Sequence, residues 1–350
     1  MIIVMLIIVV FAILAGGFAY SMRVEMRLAR NEGNTSELEW IGRSGVEMAK
    51  YVVAMQLKVP NENNYEALNQ KWAGAAGGGT NTLLDGISLE KNPLGHGEYS
   101  VKITDLERKF NINLADEQFL QQALILAGVD ASAFPPVVDS ILDWIDADDS
   151  ARINGSESEY YLTLDPPYRA KNGYIDDLSE LLLIKGITPE IYWGSTAGNH
   201  PVSAFQSRSG TAGLRGAGGQ TLNPVGLVEL FTPFSSGKIN INTAAASALE
   251  MIPEVDENIA RSIIQIRAGP DGVDGTLDDV PFRNVGELIN VPGLGRNVVS
   301  QLSRYCDVRS HTFEVEVTAS VNGVTRKYIA VIRRNPQNLA QFTTLNFYWK

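Results

Sequence analysis

Cysteine is nearly absent: Cys306 is the only one in a chain of 350 residues. A lone cysteine excludes an intrachain disulfide framework and a four-cysteine zinc site, and its default role is that of a small buried hydrophobe. Histidine is almost as scarce. His96, His200 and His311 lie in unrelated segments without metal-ligand spacing, and no nucleophile elbow lies near them. Positive charge is short as well, with 29 Lys and Arg against 40 Asp and Glu. The resulting net charge of −11 opposes the approach of nucleic acid or an anionic lipid surface. Glycine and proline, at 32 and 15 residues, are too few for a generally disordered chain. What is present, 45% apolar and 20% charged residues, is a globular composition, and the length leaves room for two folded units beside an anchor.

From Met1 to Met22 the chain carries no charge at all, running MIIVMLIIVVFAILAGGFAYSM. As a helix rising ~1.5 Å per residue it reaches about 33 Å, enough for a hydrocarbon layer of about 30 Å. A cleaved secretory signal would want a basic start and a shorter apolar centre, so a retained membrane anchor is the reading. The first charges, Arg23, Glu25, Arg27, Arg30 and Glu32, are of mixed sign and do not set an orientation. Leu38, Ile41, Val46, Ala49, Val52 and Met55, interspersed with charges, predict an amphipathic continuation. Gly33 and Asn34 are expected to loosen this helix midway, and Pro60 to end it. The glycine- and alanine-rich stretch from Ala73 to Asn81 reads as a loop.

Alternating apolar and polar residues over Glu98 to Thr104 and Thr312 to Arg334 predict strands, and Asn322-Gly323 predicts a type I′ hairpin turn inside the second run. The residues between read mainly helical. The fold class is therefore α+β: a long transmembrane and amphipathic helix (1–58), a small antiparallel sheet in two parts (59–104 and 308–350), and an α-helical insertion (105–307). The insertion carries a repeat, with halves at about 105–193 and 237–307. Phe110-Asn-Ile-Asn-Leu-Ala115 matches Ile239-Asn-Ile-Asn-Thr-Ala244, and Leu178-Ser-Glu-Leu-Leu-Leu-Ile-Lys-Gly-Ile187 matches Val285-Gly-Glu-Leu-Ile-Asn-Val-Pro-Gly-Leu294. The second half resembles tandem helix-hairpin-helix modules. In DNA-binding members, glycines of such turns let backbone amides approach a phosphate. Here only Arg296 adds positive charge near Val291-Pro-Gly-Leu-Gly295, and the earlier turn, Ile252-Pro-Glu-Val-Asp-Glu257, has carboxylates where glycines are expected. A packing scaffold is the reading, and nucleic acid is not an expected partner.

Several ordered segments resemble the K-type minor pseudopilins of type II secretion systems: Asp105-Leu-Glu-Arg-Lys-Phe-Asn-Ile-Asn113, Ile141-Leu-Asp-Trp-Ile-Asp-Ala-Asp-Asp149, Asn154-Gly-Ser-Glu-Ser-Glu-Tyr-Tyr161, Asp165-Pro-Pro-Tyr-Arg-Ala170 and Gly237-Lys-Ile-Asn-Ile-Asn-Thr-Ala244. The resemblance implies a pilin-like helix and sheet with a large inserted α-domain. It also implies a non-enzymatic role at the tip of a periplasmic pseudopilus, initiating or capping assembly with I- and J-type subunits. The implied setting is the bacterial inner membrane, single-pass, with the globular part in the periplasm. Prepilin peptidase, the inner-membrane secretion platform and secreted substrates are the further partners it implies. Met1 is the expected mature N-terminus after peptidase cleavage, or else a leader is missing from the sequence. Met5 stands where most pseudopilins have glutamate, as is characteristic of K-type members. The competing readings are a membrane-anchored DNA-uptake receptor and a minor type IV pilin.

Two acidic clusters are calcium candidates, because this hard cation wants clustered oxygen ligands on an irregular loop. One is Asp146, Asp148, Glu157 and Glu159; the other is Asp271, Asp274, Asp278 and Asp279. Neither has EF-hand spacing, and ordinary solvated loops are the alternative. The family resemblance adds that some relatives hold calcium in the inserted domain. Asp143 and Asp146 share a helical face, as a hydrolase pair might, but a capping role is favoured because nothing else in the sequence assembles a catalytic site.

Overall fold

A computed structural model describes residues 1–75, 84–194 and 225–350. Part of the loop expected through Asn81, and His200, lie outside the described residues. Along the chain, α1 (Ile2–Gln56) is followed by β1 (Asn92–Leu94) and β2 (Gly97–Asp105). The insertion then contributes β3 (Phe110–Asn111), α2 (Glu117–Leu126), α3 (Phe134–Ile145), α4 (Ser158–Tyr161), α5 (Pro189–Trp193), α6 (Leu227–Leu230), β4 (Phe231–Thr232), β5 (Ile239–Asn240), α7 (Ala246–Leu249), α8 (Glu257–Arg267), α9 (Arg296–Leu302) and β6 (Cys306–Asp307). The chain finishes with β7 (Thr312–Val321), β8 (Val324–Asn335) and β9 (Asn338–Trp349).

α1 is a single unbroken helix. It contains an 18-residue window of mean hydropathy 3.0, none of it covered by protein, that is long and apolar enough to cross a membrane. The expected loosening at Gly33 and Asn34 does not occur, since one glycine weakens a helix without breaking its backbone bonds. Asn34 Oδ1 instead accepts a 3.0 Å bond from Asn322 Nδ2 at the hairpin tip, tying the helix to the sheet. The helix ends at Gln56, ahead of Pro60.

Leu38, Ile41, Val46, Ala49, Val52 and Val53 are buried against the sheet, in one core with Phe313, Val315, Val317 and Ala319 of β7 and Tyr328, Ala330 and Ile332 of β8. Two glycines set the spacing: a Cβ on Gly42 would lie 2.6 Å from the Tyr328 ring, and one on Gly45 would lie 2.5 Å from Val317 Cγ1. Only hydrogen fits there. The sheet is antiparallel in the order β1-β2-β7-β8-β9, so β2 and β7 are neighbours although the insertion separates them in sequence. Asn322 and Gly323 take φ of 50° and 80°, the left-handed pair that a type I′ turn requires, as the Asn-Gly signal predicts.

The insertion has a core separate from that under α1, one cluster shared by both halves from Phe110 to Val308 and joined by Tyr65 and Ala67 of the segment after α1. The sequence repeat is a repeat of hydrogen bonds. Asn111 Oδ1 accepts from Asn113 N at 2.9 Å, and Asn240 Oδ1 accepts from Asn242 N at 2.9 Å. Asn113 donates to Ile175 O at 3.0 Å and accepts from Ile175 N at 2.7 Å, while Asn242 makes the same pair with Phe282, both at 2.9 Å. Each amide satisfies the backbone N–H and C=O of one residue distant in sequence. The matched glutamates act alike as well. Glu180 accepts from Asp176 N and Asp177 N at 3.0 Å, and Glu287 accepts from Arg283 N at 2.9 Å. Six residues later Gly186 and Gly293 turn the chain with φ of 86° and 92°.

Candidate functional site

α3 places Asp143 on its buried face and ends at Asp146, whose extended ψ of 171° releases the chain into an irregular loop. The loop closes at Glu157, the residue before α4. Within it Asp146, Asp148 and Glu157 each present a carboxylate oxygen, all within 4.8 Å of one another. Glu157 is 4% exposed, and neither of its carboxylate oxygens has a donor. Asp146 Oδ1 is likewise buried and unpartnered. So is Oδ1 of Asn172, whose Nδ2 donates to Asp148 O and to Asp149 Oδ1.

Buried acceptors without donors are costly, and like charges at this range repel. The electrostatics show both effects. Burial, with Asp143, Asp146 and Asp149 nearby, pushes Glu157 up to about 7. Burial, with Asp148 nearby, also raises Asp146, although Arg152 opposes the shift. Arg152 compensates only in part: its Nη2 lies 3.7 Å from Asp146 Oδ2, and its Nε lies 3.3 Å from Asp143 Oδ1. Asp149 is satisfied, accepting from Ser158 N at 3.2 Å, and the Ser158 bonds hold its carboxyl below the usual range. Gly155 is fitted to the loop because a Cβ there would run into the Asp143 carboxylate. Beneath the loop Trp144 packs edge-on to Tyr161, with centroids 5.3 Å apart.

Carboxylate oxygens of Asp146, Asp148 and Glu157 converge here, and buried oxygens of Asp146, Glu157 and the adjoining Asn172 lack donors; this set fits a hard divalent cation that takes six to eight oxygen ligands. Asp146, Asp148, Glu157 and Asn172 would hold it, and the cation would supply the missing positive charge. Glu159, the fourth residue of the sequence cluster, is exposed and outside the group. Asn172 was not foreseen. A Lys-Asn-Gly turn reads as a loop, and nothing in the sequence brings it to a loop more than twenty residues earlier.

The second cluster is arranged otherwise. Asp274 forms a two-pronged pair with Arg267, at 3.0 Å to Nε and 2.7 Å to Nη2. Arg267 is itself buried and donates Nη1 to Ile241 O and Ala244 O. Asp271 accepts from Val273 N, Asp278 from Asp271 N and Thr276 Oγ1, and Asp279 from Gly275 N. Asp271, Asp274, Asp278 and Asp279 are therefore occupied in closing their own loop and do not converge on one point. Among the described residues the 146–157 group is the one with three close metal-type ligands.

His96 is exposed beside Glu37, with Nδ1 3.2 Å from Oε1. His311 is partly buried, and burial, with Arg334 nearby, holds its pKa below the usual range. Cys306 is buried as read, its thiol pushed up to about 12 by desolvation. At the first helix-hairpin-helix turn Glu254 takes a left-handed φ of 67°, the conformation glycine ordinarily supplies, and exposes a carboxylate there with Asp256 and Glu257.

An apolar N-terminal helix laid on a small antiparallel sheet, with a helical domain inserted between two paired strands, defines the class: a pilin-like α+β protein with an inserted α-domain. Residues 102–194 match the family model for type II secretion system protein K, and residues 235–306 match the helix-hairpin-helix motif. The chain is 28% identical over 198 residues to a putative type II secretion system protein K of Escherichia coli K12, covering 55% of this chain and 58% of that protein. It is 27% identical over 195 residues to type II secretion system protein K of Pseudomonas aeruginosa, covering 52% and 55%. The chain thus spans under two thirds of the length of these curated relatives. A chain of the GspK-GspI-GspJ complex from enterotoxigenic Escherichia coli shares the fold, with a TM-score of 0.63 over 92% of this chain and 99% of the other at 18% identity. What these matches share is similarity to the K proteins of type II secretion systems, the K-type minor pseudopilins.

Proposed function

We propose that this chain acts by assembly, as a non-enzymatic minor pseudopilin at the tip of a secretion pseudopilus. There it initiates or caps the filament together with I- and J-type subunits. The supporting observation is the pilin-like helix and sheet interrupted by a bulky domain between β2 and β7, the fold shared with a chain of the GspK-GspI-GspJ complex. A domain of this size hinders repeated stacking along a filament, whereas a terminal position tolerates it. The charge-free run from Met1 to Met22 reinforces the point, because it offers no carboxylate to neutralise a neighbour's N-terminal amine in lipid. The anchor would sit in the inner membrane with the globular part in the periplasm. Calcium bound by Asp146, Asp148, Glu157 and Asn172 would stiffen the inserted domain.

Mixing the detergent-solubilised chain with I- and J-type subunits and measuring complex mass tests the reading. A stable ternary species with one copy of this chain is expected. No association, with even labelling of this subunit along isolated filaments, would overturn it. The helix-hairpin-helix match favours a second reading, a membrane-anchored DNA-uptake receptor. That reading requires salt-dependent DNA binding, which Glu254, Asp256 and Glu257 oppose at the first turn.

A further inference from the structure

The insertion leaves the sheet at the end of β2 and returns at the start of β7, and buried side chains fasten both crossings. Asp105, Glu107, Glu66 and Arg334 are each at most 2% exposed. Asp105 Oδ2 accepts from Thr243 Oγ1 at 2.5 Å, Ser310 Oγ at 2.6 Å and Asn240 Nδ2 at 3.1 Å. Glu107 Oε1 accepts from Ser236 N at 3.3 Å, and its Oε2 accepts from Thr312 N at 3.0 Å. Glu66, on the segment after α1, accepts from Ser310 N at 3.0 Å and from Arg334 Nη1 at 2.5 Å. Asp105 and Glu107 thus staple the second half of the insertion to the residues leading into β7, and Glu66 ties that point to β8.

The charges in this knot do not balance. Three buried carboxyl groups face one buried guanidinium, so full ionisation leaves excess negative charge where water cannot solvate it. Arg334 is only partly engaged: its Nε and Nη2 have no acceptor, and it lies over the Phe313 and Phe342 rings. The other ionisable groups around the knot do not make up the difference. His311 is held toward its neutral form by burial and by Arg334, and Asp307 beside it is acidic. Arg309 donates outward to the carbonyls of Asn63 and Asn64. Lys109 donates to Val228 O, and burial lowers its pKa.

We propose that this buried carboxylate knot is a proton-responsive latch that fixes the orientation of the inserted domain on the sheet. It is tight while Asp105 or Glu107 carries a proton and loosens when both are charged. Burial raises the pKa of both groups, outweighing the hydrogen bonds that pull each down. A group whose folded pKa is raised binds more protons folded than unfolded. The latch is therefore firm at acidic pH and weakens as pH climbs out of the ordinary carboxylate range.

The test uses the full chain in detergent, with spin labels at Lys102→Cys on β2 and Ser300→Cys on α9; the native Cys306 is buried. The wild-type background should give one narrow distance distribution at about pH 6 and a broader one at about pH 9, and Glu107→Gln should keep it narrow at both. A distribution unchanged with pH in the wild type, or broadening that Glu107→Gln retains, overturns the proposal. Hydrogen exchange on the unsubstituted chain is the second measurement, in case Glu107→Gln fails to fold. After correction for intrinsic rates, the Ser236 and Thr312 amides should exchange about tenfold faster for each pH unit through the raised titration. Equal corrected rates across that range overturn the proposal independently.

Discussion

Two acidic loops of one inserted domain carry nearly the same sequence signal. In the loop from Asp146 to Glu157 three carboxylates converge, and Asp146 Oδ1 and both Glu157 oxygens are buried without a donor. In the loop from Asp271 to Asp279 every carboxylate is already paired, one with a buried arginine and three with backbone or hydroxyl donors of the loop itself. The difference lies in Arg267. Its position at the end of α8 delivers a guanidinium into the second loop, whereas Arg152, 47% exposed along its side chain, only brushes the first. A run of aspartates is left open to a cation only where the fold withholds other positive charge.

The second loop should be the more sensitive to losing its cation. Arg267→Ala leaves Asp274 without its partner and should cost about 3–5 kcal/mol in a denaturant melt, with or without calcium. Next, for the first loop, calcium at 100 times its dissociation constant should add about 2.7 kcal/mol to unfolding, and chelation should remove it. Glu157→Gln should abolish that response. An unchanged melting curve when calcium is added to metal-stripped protein would end the proposal for this loop.

A smaller effect sharpens the comparison through pH. Glu157 titrates near 7, so calcium competes with a proton, and its affinity should fall about tenfold per pH unit below that value. The metal-free protein should behave oppositely. A raised carboxyl stabilises the fold while protonated, so this contribution is present below the ordinary carboxylate range and declines as pH rises through about 7. Thermal melts of the metal-free chain across that range check the sign. Asp278→Asn, an exposed turn substitution, is expected to leave the melt nearly unchanged and the calcium response intact.

The sheet was legible where the signal was local. Alternation marked β2, β7 and β8, and Asn322-Gly323 marked their turn, because side-chain period and left-handed backbone preference act within a few residues. The long helix was legible from its charge-free run, but the bond from Asn322 that ties it to the hairpin tip at Asn34 is in no local pattern. The repeat was visible as matching letters, while its content, Asn113 holding Ile175 and Asn242 holding Phe282, needs the folded chain. The candidate site was half legible. Aspartates at the end of α3 and a glutamate before α4 gave its position, but Asn172 and the absence of donors are properties of packing. Glu159 and the 271–279 loop show the limit of acidic spacing, which does not say which carboxylates are already occupied.

Calorimetric titration of the full chain in detergent with calcium counts sites as well as detecting them. One equivalent is expected for the wild type, one for Asp278→Asn and none for Glu157→Gln. A full equivalent retained by Glu157→Gln, or lost by Asp278→Asn, would place the ion in the wrong loop and contradict that expectation.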